Sequence, residues 1–297
     1  MKCCRHAIAL GLALAAIAGA STPAIAQGSQ DSLVDIAYLE PGNPAYRPIY
    51  ERLQERRVLE DLREFLAPLR LPRRVLAKIE QCGTESRPYA PGGPVAICYE
   101  YIHALEKFAE KIPPEERTAR GVSREDAVVG AFVQVVLNGM AHAVFDVLAV
   151  PVWGREEDAA DKLAGFLMLQ FGIENARKLL NGAAYFFEAS DRTWTGSDFS
   201  DVRGTDAQRF YNYLCIAYGG DPKAFRHFVQ DDDAGMQPGQ RTKLRLDLLP
   251  RSRAVRCAGE YNDLRYAFDQ AIMPSVDRNL LDKVLARRDW LRSDDGK

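Results

Sequence analysis

The sequence predicts a mainly helical fold with one small antiparallel β element, an α+β arrangement. Apolar residues recur at helical spacing through most of the chain, whereas only Val75–Gln81 and Val95–Tyr99 have the length and flanking residues of strands. Of the 297 residues, 47% are hydrophobic and 27% are charged, which is typical of a globular protein. The net charge of −2 argues against a nucleic-acid partner, because no basic excess is present to neutralise phosphates.

Residues 1–26 have the features of a secretory signal peptide. Lys2 and Arg5 precede a short apolar run, and Ala24-Ile25-Ala26 forms a small-x-small cleavage site. We therefore expect a mature protein that begins at Gln27 and is periplasmic or secreted, the alternative being an uncleaved anchor. No later stretch approaches 18 uninterrupted apolar residues, so we expect no membrane span after cleavage.

Four cysteines remain after cleavage, and an even number in an oxidising compartment indicates two disulfides. Of the three pairings we favour Cys82–Cys98 and Cys215–Cys257, because each joins cysteines within one region. The first would staple the two predicted strands into an antiparallel pair. A zinc site made of the four cysteines is the alternative, which the absence of any C-x-x-C pair disfavours.

The remaining elements follow in chain order. Residues 27–48 are rich in Pro, Gly and Ser and predict a flexible lead-in, and residues 49–297 a single domain. Apolar spacing among charged residues, with proline or glycine near several boundaries, predicts the helices. They are Tyr50–Leu66, Glu100–Lys111, Ala127–Leu148, Glu156–Phe171, Asn175–Ala189, Asp206–Tyr218, Glu260–Ile272 and Asn279–Leu291.

The helix Ala127–Leu148 is apolar on almost every side, which predicts a buried central helix. Ser123 with Asp126 three residues later predicts its N-terminal cap. The helix contains Asn138-Gly139-Met140-Ala141-His142, and Gly154-Arg155-Glu156-Glu157-Asp158-Ala159-Ala160-Asp161 follows it after a short loop.

These motifs resemble a bacterial family of exported metallopeptidase-type proteins, a gluzincin-like domain of unknown function. That family has a helix with the pattern H-E-x-x-H-A-x-x-D-x-L, followed by G-R-E-E-D-A-A-D. The resemblance implies a zincin-like fold with a buried active-site-type helix, zinc as the cofactor, and peptide hydrolysis. Further matching runs are Glu80–Gly83, Ile97–Glu100, Asp206–Asn212 with Cys215, Tyr218–Pro222, Leu249–Pro250, Arg253–Cys257 and Glu260–Tyr261.

In such a site two histidines four residues apart bind zinc, and the glutamate after the first takes a proton from zinc-bound water. Carried over by position, the resemblance makes His142 the second histidine and Glu157 the third ligand. Asp161 would orient a ligand without touching the metal. However, Asn138 stands at the first-ligand position and Gly139 at the catalytic glutamate.

A further histidine of the family falls where this chain has Asp201-Val202-Arg203-Gly204. We therefore predict a catalytically inactive member with no intact catalytic group, in which zinc is absent or weakly bound. Because a lost metal would leave Glu157 uncompensated, we hypothesise that Arg155 or Arg203 supplies a cation beside it.

The sequence leaves three functions open. The first is an inactive homologue that binds polypeptide, for example by strand addition at Val95–Tyr99. The second is an active metallopeptidase with the atypical ligand set His142, Asp146 and Glu157, since Asp146 lies one helical turn beyond His142. The third is a non-enzymatic structural protein of the envelope.

Overall fold

The computed structural model describes residues 33–83, 89–113, 121–191, 202–229 and 248–287, and the predicted signal peptide lies outside them. The mainly helical prediction is confirmed. The described residues include four single 3₁₀ turns, Pro44–Tyr46, Leu169–Phe171, Arg226–Phe228 and Met273–Ser275. The helices are α1 (Arg47–Glu55), α2 (Val58–Leu66), α3 (Tyr99–Lys111), α4 (Arg124–Val147), α5 (Glu156–Met168), α6 (Ile173–Asp191), α7 (Asp206–Gly220), α8 (Arg251–Ala271) and α9 (Arg278–Ala286).

The sheet has the order β1 (Val34–Tyr38), β2 (Val75–Glu80) and β3 (Val95–Cys98), and both neighbouring pairs are parallel. The predicted antiparallel element is therefore wrong. Parallel neighbours need a connection of about a dozen residues, and β2 and β3 are separated by residues 81–94 along the chain. Because parallel strands end at the same edge, the Cys82–Cys98 disulfide joins two adjacent strand ends instead of closing a hairpin.

Strand β1 lies inside the interval 27–48, so the prediction of a flexible lead-in is wrong there. It pairs with β2 from Val34↔Val75 to Tyr38↔Ile79. The hydroxyl of Tyr38 accepts a hydrogen bond from the Leu59 amide at 2.7 Å, which satisfies one of the free N–H groups at the start of α2.

The helix predictions differ most from the structure at two places. The single helix expected over Tyr50–Leu66 is two helices, because Arg57 adopts a left-handed conformation with φ 53° between α1 and α2. Helix α8 begins at Arg251 instead of Glu260, directly after Pro250, which occupies the N-cap position.

Helix α4 is the centre of the core. The predicted cap is present, since the Ser123 hydroxyl accepts from the Asp126 amide and the Asp126 carboxylate accepts from the Ser123 amide. By length and composition α4 could cross a membrane, but 78% of its apolar window is buried inside the fold. It packs closely on α6, where a Cβ added at Gly182 would lie 2.0 Å from the Asp126 carbonyl oxygen.

The second predicted disulfide, Cys215–Cys257, is also present and joins α7 to α8. The two helices approach so closely that a Cβ at Gly219 would lie 2.2 Å from the carbonyl oxygen of Cys257. With all four of these cysteines bonded in pairs, the alternative four-cysteine zinc site is excluded.

Candidate functional site

Helices α4 and α5 form an antiparallel hairpin, because the short loop between them turns the chain back along α4. The side-chain contacts follow this arrangement: Asn138 meets Asp161, and His142, one turn further along α4, meets Glu157, one turn earlier on α5. The hairpin therefore brings together four of the residues that the sequence singled out.

His142 is held between two carboxylates. Its Nδ1 lies 2.7 Å from Oε1 of Glu156, and its Nε2 lies 3.4 Å from Oε2 of Glu157. Burial opposes the charged imidazolium, but the hydrogen bonds with Glu157 and Glu156 outweigh it and raise the pKa of His142 above its usual value. A protonated ring donates from both nitrogens and leaves no lone pair for a metal.

Arg203 contacts the same carboxylate from the other side. Its Nε lies 3.2 Å from Oε2 of Glu157, the oxygen that also faces His142. The hydrogen bond with His142 is the largest cause that lowers the pKa of Glu157 to about 2; burial works against it, and the charge of Arg203 adds to it. The cation hypothesised beside Glu157 is therefore Arg203.

Arg155 has a supporting position. Its Nη1 donates to the backbone carbonyl of Arg203 at 3.1 Å, and its Nε lies 3.3 Å from Oδ2 of Asp158. It thereby ties the segment that carries Arg203 to the first turn of α5.

Asp161 is the acceptor of a buried polar cluster. Its Oδ1 accepts from Nε2 of Gln134 and from Nδ2 of Asn138, each at 2.9 Å. Its Oδ2 accepts from Nε of Arg209 on α7 at 2.7 Å. The guanidinium of Arg209 also lies 4.0 Å from the ring centroid of Phe187, a cation–π contact. Burial alone would lower the pKa of Arg209, and its pairing with Asp161 reverses this.

Asp146, predicted above as an atypical third ligand, binds other residues of the chain instead. Its Oδ2 lies 2.6 Å from Nη2 of Arg73 and accepts from the Gly92 amide at 3.0 Å, and it also bonds the Tyr89 hydroxyl. These contacts tie the end of α4 to the residues just before β2 and β3.

Among the described residues, His142 does not belong to a cluster of three metal-type ligand atoms. Within the described ranges, one group of three His, Cys, Asp or Glu side chains has ligand atoms that all lie within 4.8 Å of one another, and it is Cys82, Cys98 and Glu100. Its two cysteines are bonded to each other. His142, Glu156 and Glu157 therefore contact one another in pairs but do not form such a group.

Strand β3 is at the edge of the sheet, yet it offers little surface to an added strand. Val95, Ile97 and Cys98 are 0%, 3% and 4% exposed, which leaves Ala96 as its partly exposed residue. The geometry does not favour peptide binding by strand addition there.

Three residues of this region were missed by the sequence analysis: Gln134, Glu156 and Arg209. Gln134 lies one helical turn before Asn138, a spacing that could have identified it. Glu156 precedes the predicted ligand Glu157. Arg209 lies in the run Asp206–Asn212, but nothing local pairs it with Asp161.

The comparison with protein families found a match. The model of a family described as "Putative metallopeptidase" matches residues 38–272. The chain belongs to this family, which confirms the resemblance at the level of the family. The searches of curated proteins and of solved structures each returned no match.

Membership implies zinc in the family, but the residues present here do not fit a zinc ion. A catalytic zinc site uses three protein ligands. Here Glu157 is paired with Arg203, both nitrogens of His142 face carboxylates, and the amide of Asn138 is used by Asp161.

Proposed function

We propose that the chain is an exported member of the metallopeptidase family that binds polypeptide without hydrolysing it. The observation that carries this proposal is the state of Asn138 and Gly139, at the positions where the resemblance places the first zinc ligand and the general base. The amide of Asn138 donates to the buried Asp161, and Gly139 has no side chain to accept a proton. Loss of a general base alone costs about 10²–10⁴-fold in rate.

An exposed tryptophan beside the site supports a binding role. Trp153, in the loop between α4 and α5, is 95% exposed. Val202, 65% exposed, precedes Arg203, and the contact of Arg155 with the Arg203 carbonyl brings the two segments together. Tryptophan is common among the residues that contribute most to protein binding.

Charged side chains accompany Trp153 and Val202 in these two segments. The side chains of Arg155, Glu156 and Arg203 are 49%, 57% and 43% exposed. An extended polypeptide presents backbone amides and carbonyls together with apolar side chains. A surface with an exposed apolar side chain, positively charged donors and a negatively charged acceptor suits such a ligand.

The two disulfides support a location outside the reducing cytosol. Together with the signal features of residues 1–26, they support export to the periplasm or beyond the cell of a bacterium. N-terminal sequencing of the protein from the exported fraction tests this, with Gln27 as the expected first residue. An intact Met1 in that fraction would contradict cleavage.

The binding proposal is tested on the mature, oxidised protein. We expect no stoichiometric zinc after dialysis, no cleavage in a broad peptide screen, and binding of fluorescently labelled denatured casein. Trp153→Ala should weaken that binding by tenfold or more. Tyr266→Ala is the matched control, because it removes another exposed aromatic side chain, on α8.

Two outcomes would overturn the proposal. Peptide cleavage that chelators abolish would establish the active alternative. An absence of casein binding in the wild type would favour the structural alternative.

A further inference from the structure

We infer that the Arg203 guanidinium replaces a divalent cation at Glu157, so that the remaining ligand-type side chains are neutralised by the chain itself. This inference rests on the proposed function, since it takes the position of Glu157 to be that of a metal ligand in the family. It deepens the hypothesis drawn from the sequence, because it assigns the role to Arg203 and predicts what its removal does to zinc binding.

The contacts around Glu157 form a closed charge cluster. Nε of Arg203 and Nε2 of His142 approach the same oxygen, Oε2, at 3.2 and 3.4 Å. The other ring nitrogen of His142, Nδ1, lies 2.7 Å from Oε1 of Glu156. A divalent ion at Oε2 would have to displace the guanidinium or sit within contact distance of it, and like charges this close repel each other.

The fold sets the position of Arg203. Its carbonyl accepts from Arg155, which is itself paired with Asp158 on α5. The segment then passes close to α5, because a Cβ at Gly204 would lie 3.3 Å from Oδ1 of Asp158. Immediately afterwards Thr205 caps α7. Arg203 therefore reaches Glu157 from a segment that is anchored at its own carbonyl and at the two residues that follow it.

Zinc alone is the probe, measured by calorimetric titration and by the shift in unfolding temperature. We expect Arg203→Gln to bind zinc at least tenfold more tightly than the wild type, and zinc to raise its unfolding temperature by more. Arg203→Lys keeps the positive charge and should behave as the wild type does. Arg74→Gln is the matched control, because it breaks a surface pair with Asp35 of 2.7 Å and removes the same charge.

Equal zinc affinity in the wild type and Arg203→Gln would overturn the inference. If Arg203→Gln does not fold, the wild type still decides: tight zinc binding that is lost in His142→Ala also overturns it. The two proposals fail separately. Peptide cleavage by the wild type contradicts the proposed function, whereas an inert wild type whose Arg203→Gln variant gains no zinc affinity contradicts this inference alone.

Discussion

Asp161 illustrates, at the scale of single residues, how a carboxylate can stay charged inside a protein. Its side chain is 8% exposed, and that of its partner Arg209 is 14% exposed. A buried pair contributes little net stability compared with an apolar pair, but the loss of one partner is costly, since the other is left buried without a counter-charge.

We predict that Asp161→Asn lowers the free energy of unfolding by about 3–5 kcal/mol, measured by urea denaturation. Asp35→Asn is the matched control. It breaks the exposed pair with Arg74, at 2.7 Å, and should cost less than about 1 kcal/mol. Equal losses in the two variants would show that the Asp161 cluster does not behave as a buried pair.

The His142–Glu157 pair predicts a pH dependence that is also local. The pKa of Glu157 is lowered from 4.5 to about 2. Its contribution to the free energy of unfolding is therefore present above pH 4.5 and is lost as the pH falls toward 2. The pKa of His142 is raised from 6.5, so its contribution is present below pH 6.5 and is lost as the pH rises through the folded value.

We therefore expect the stability difference between the wild type and Glu157→Gln to be largest between about pH 4.5 and 6.5. Its size there should be on the order of 3 kcal/mol, and it should shrink toward pH 3 and toward pH 9. Urea titrations across this range measure it. Glu174→Gln, at a side chain that is 78% exposed, is the control and should show no comparable maximum. A flat profile for Glu157→Gln would contradict the coupling.

At the scale of elements, the crossing of α4 and α6 depends on two glycines. A Cβ at Gly130 would lie 2.6 Å from the Leu179 carbonyl oxygen, and one at Gly182 would lie 2.0 Å from that of Asp126. Both contacts are with backbone, which cannot rotate away. The helices must separate if either glycine gains a side chain.

Gly182→Ala should therefore destabilise the protein by about 1–3 kcal/mol, although alanine favours helix by about 1 kcal/mol over glycine. Gly259→Ala in α8 is the matched control. A Cβ there meets nothing within 4 Å, so the substitution should stabilise the protein by up to about 1 kcal/mol. Thermal unfolding of both variants tests the pair, and opposite signs are expected.

Sequence patterns predicted the helices better than the sheet, for physical reasons. Helical periodicity repeats over many residues, whereas alternation over four to six residues does not reveal whether neighbouring strands are parallel. One clue was overlooked: Cys82 and Cys98 each fall at or just after the end of a strand, and a disulfide between two such ends requires parallel strands. Strand β1 was hidden because its surroundings are rich in Pro, Gly and Ser.

The candidate site could be predicted in part, because helical spacing places Asn138 and His142 on one face and Glu157 and Asp161 on another. The packing of the two faces could not be derived from spacing alone. Arg209 comes from α7, far along the chain, and only the tertiary fold brings it to Asp161. The same holds for Arg73 and Asp146.

At the scale of the whole molecule, the two disulfides close loops of different length. The sequence separation is 16 residues for Cys82–Cys98 and 42 for Cys215–Cys257. A longer closed loop restricts the unfolded chain more. In the chain-entropy model the stabilisation is about 3 kcal/mol for Cys82–Cys98 and about 4 kcal/mol for Cys215–Cys257.

We accordingly expect the double variant Cys215→Ser/Cys257→Ser to lose more stability than Cys82→Ser/Cys98→Ser, each measured by urea unfolding against the oxidised wild type. The close contact of Gly219 with Cys257 favours the same order, since α7 and α8 are packed tightly where the bond lies. The reverse order would show that local packing at the sheet edge outweighs loop length.

The polar side chains of α4 have a further consequence for the folding of the core. Gln134, Asn138 and His142 recur every fourth residue on a helix that is otherwise almost wholly apolar, and all three meet polar groups of α5. A rotation of α4 by one residue would bury them among hydrocarbon at about 1–3 kcal/mol for each unsatisfied group. This row of polar side chains therefore specifies one rotational orientation of the helix. That structural role does not depend on peptidase activity.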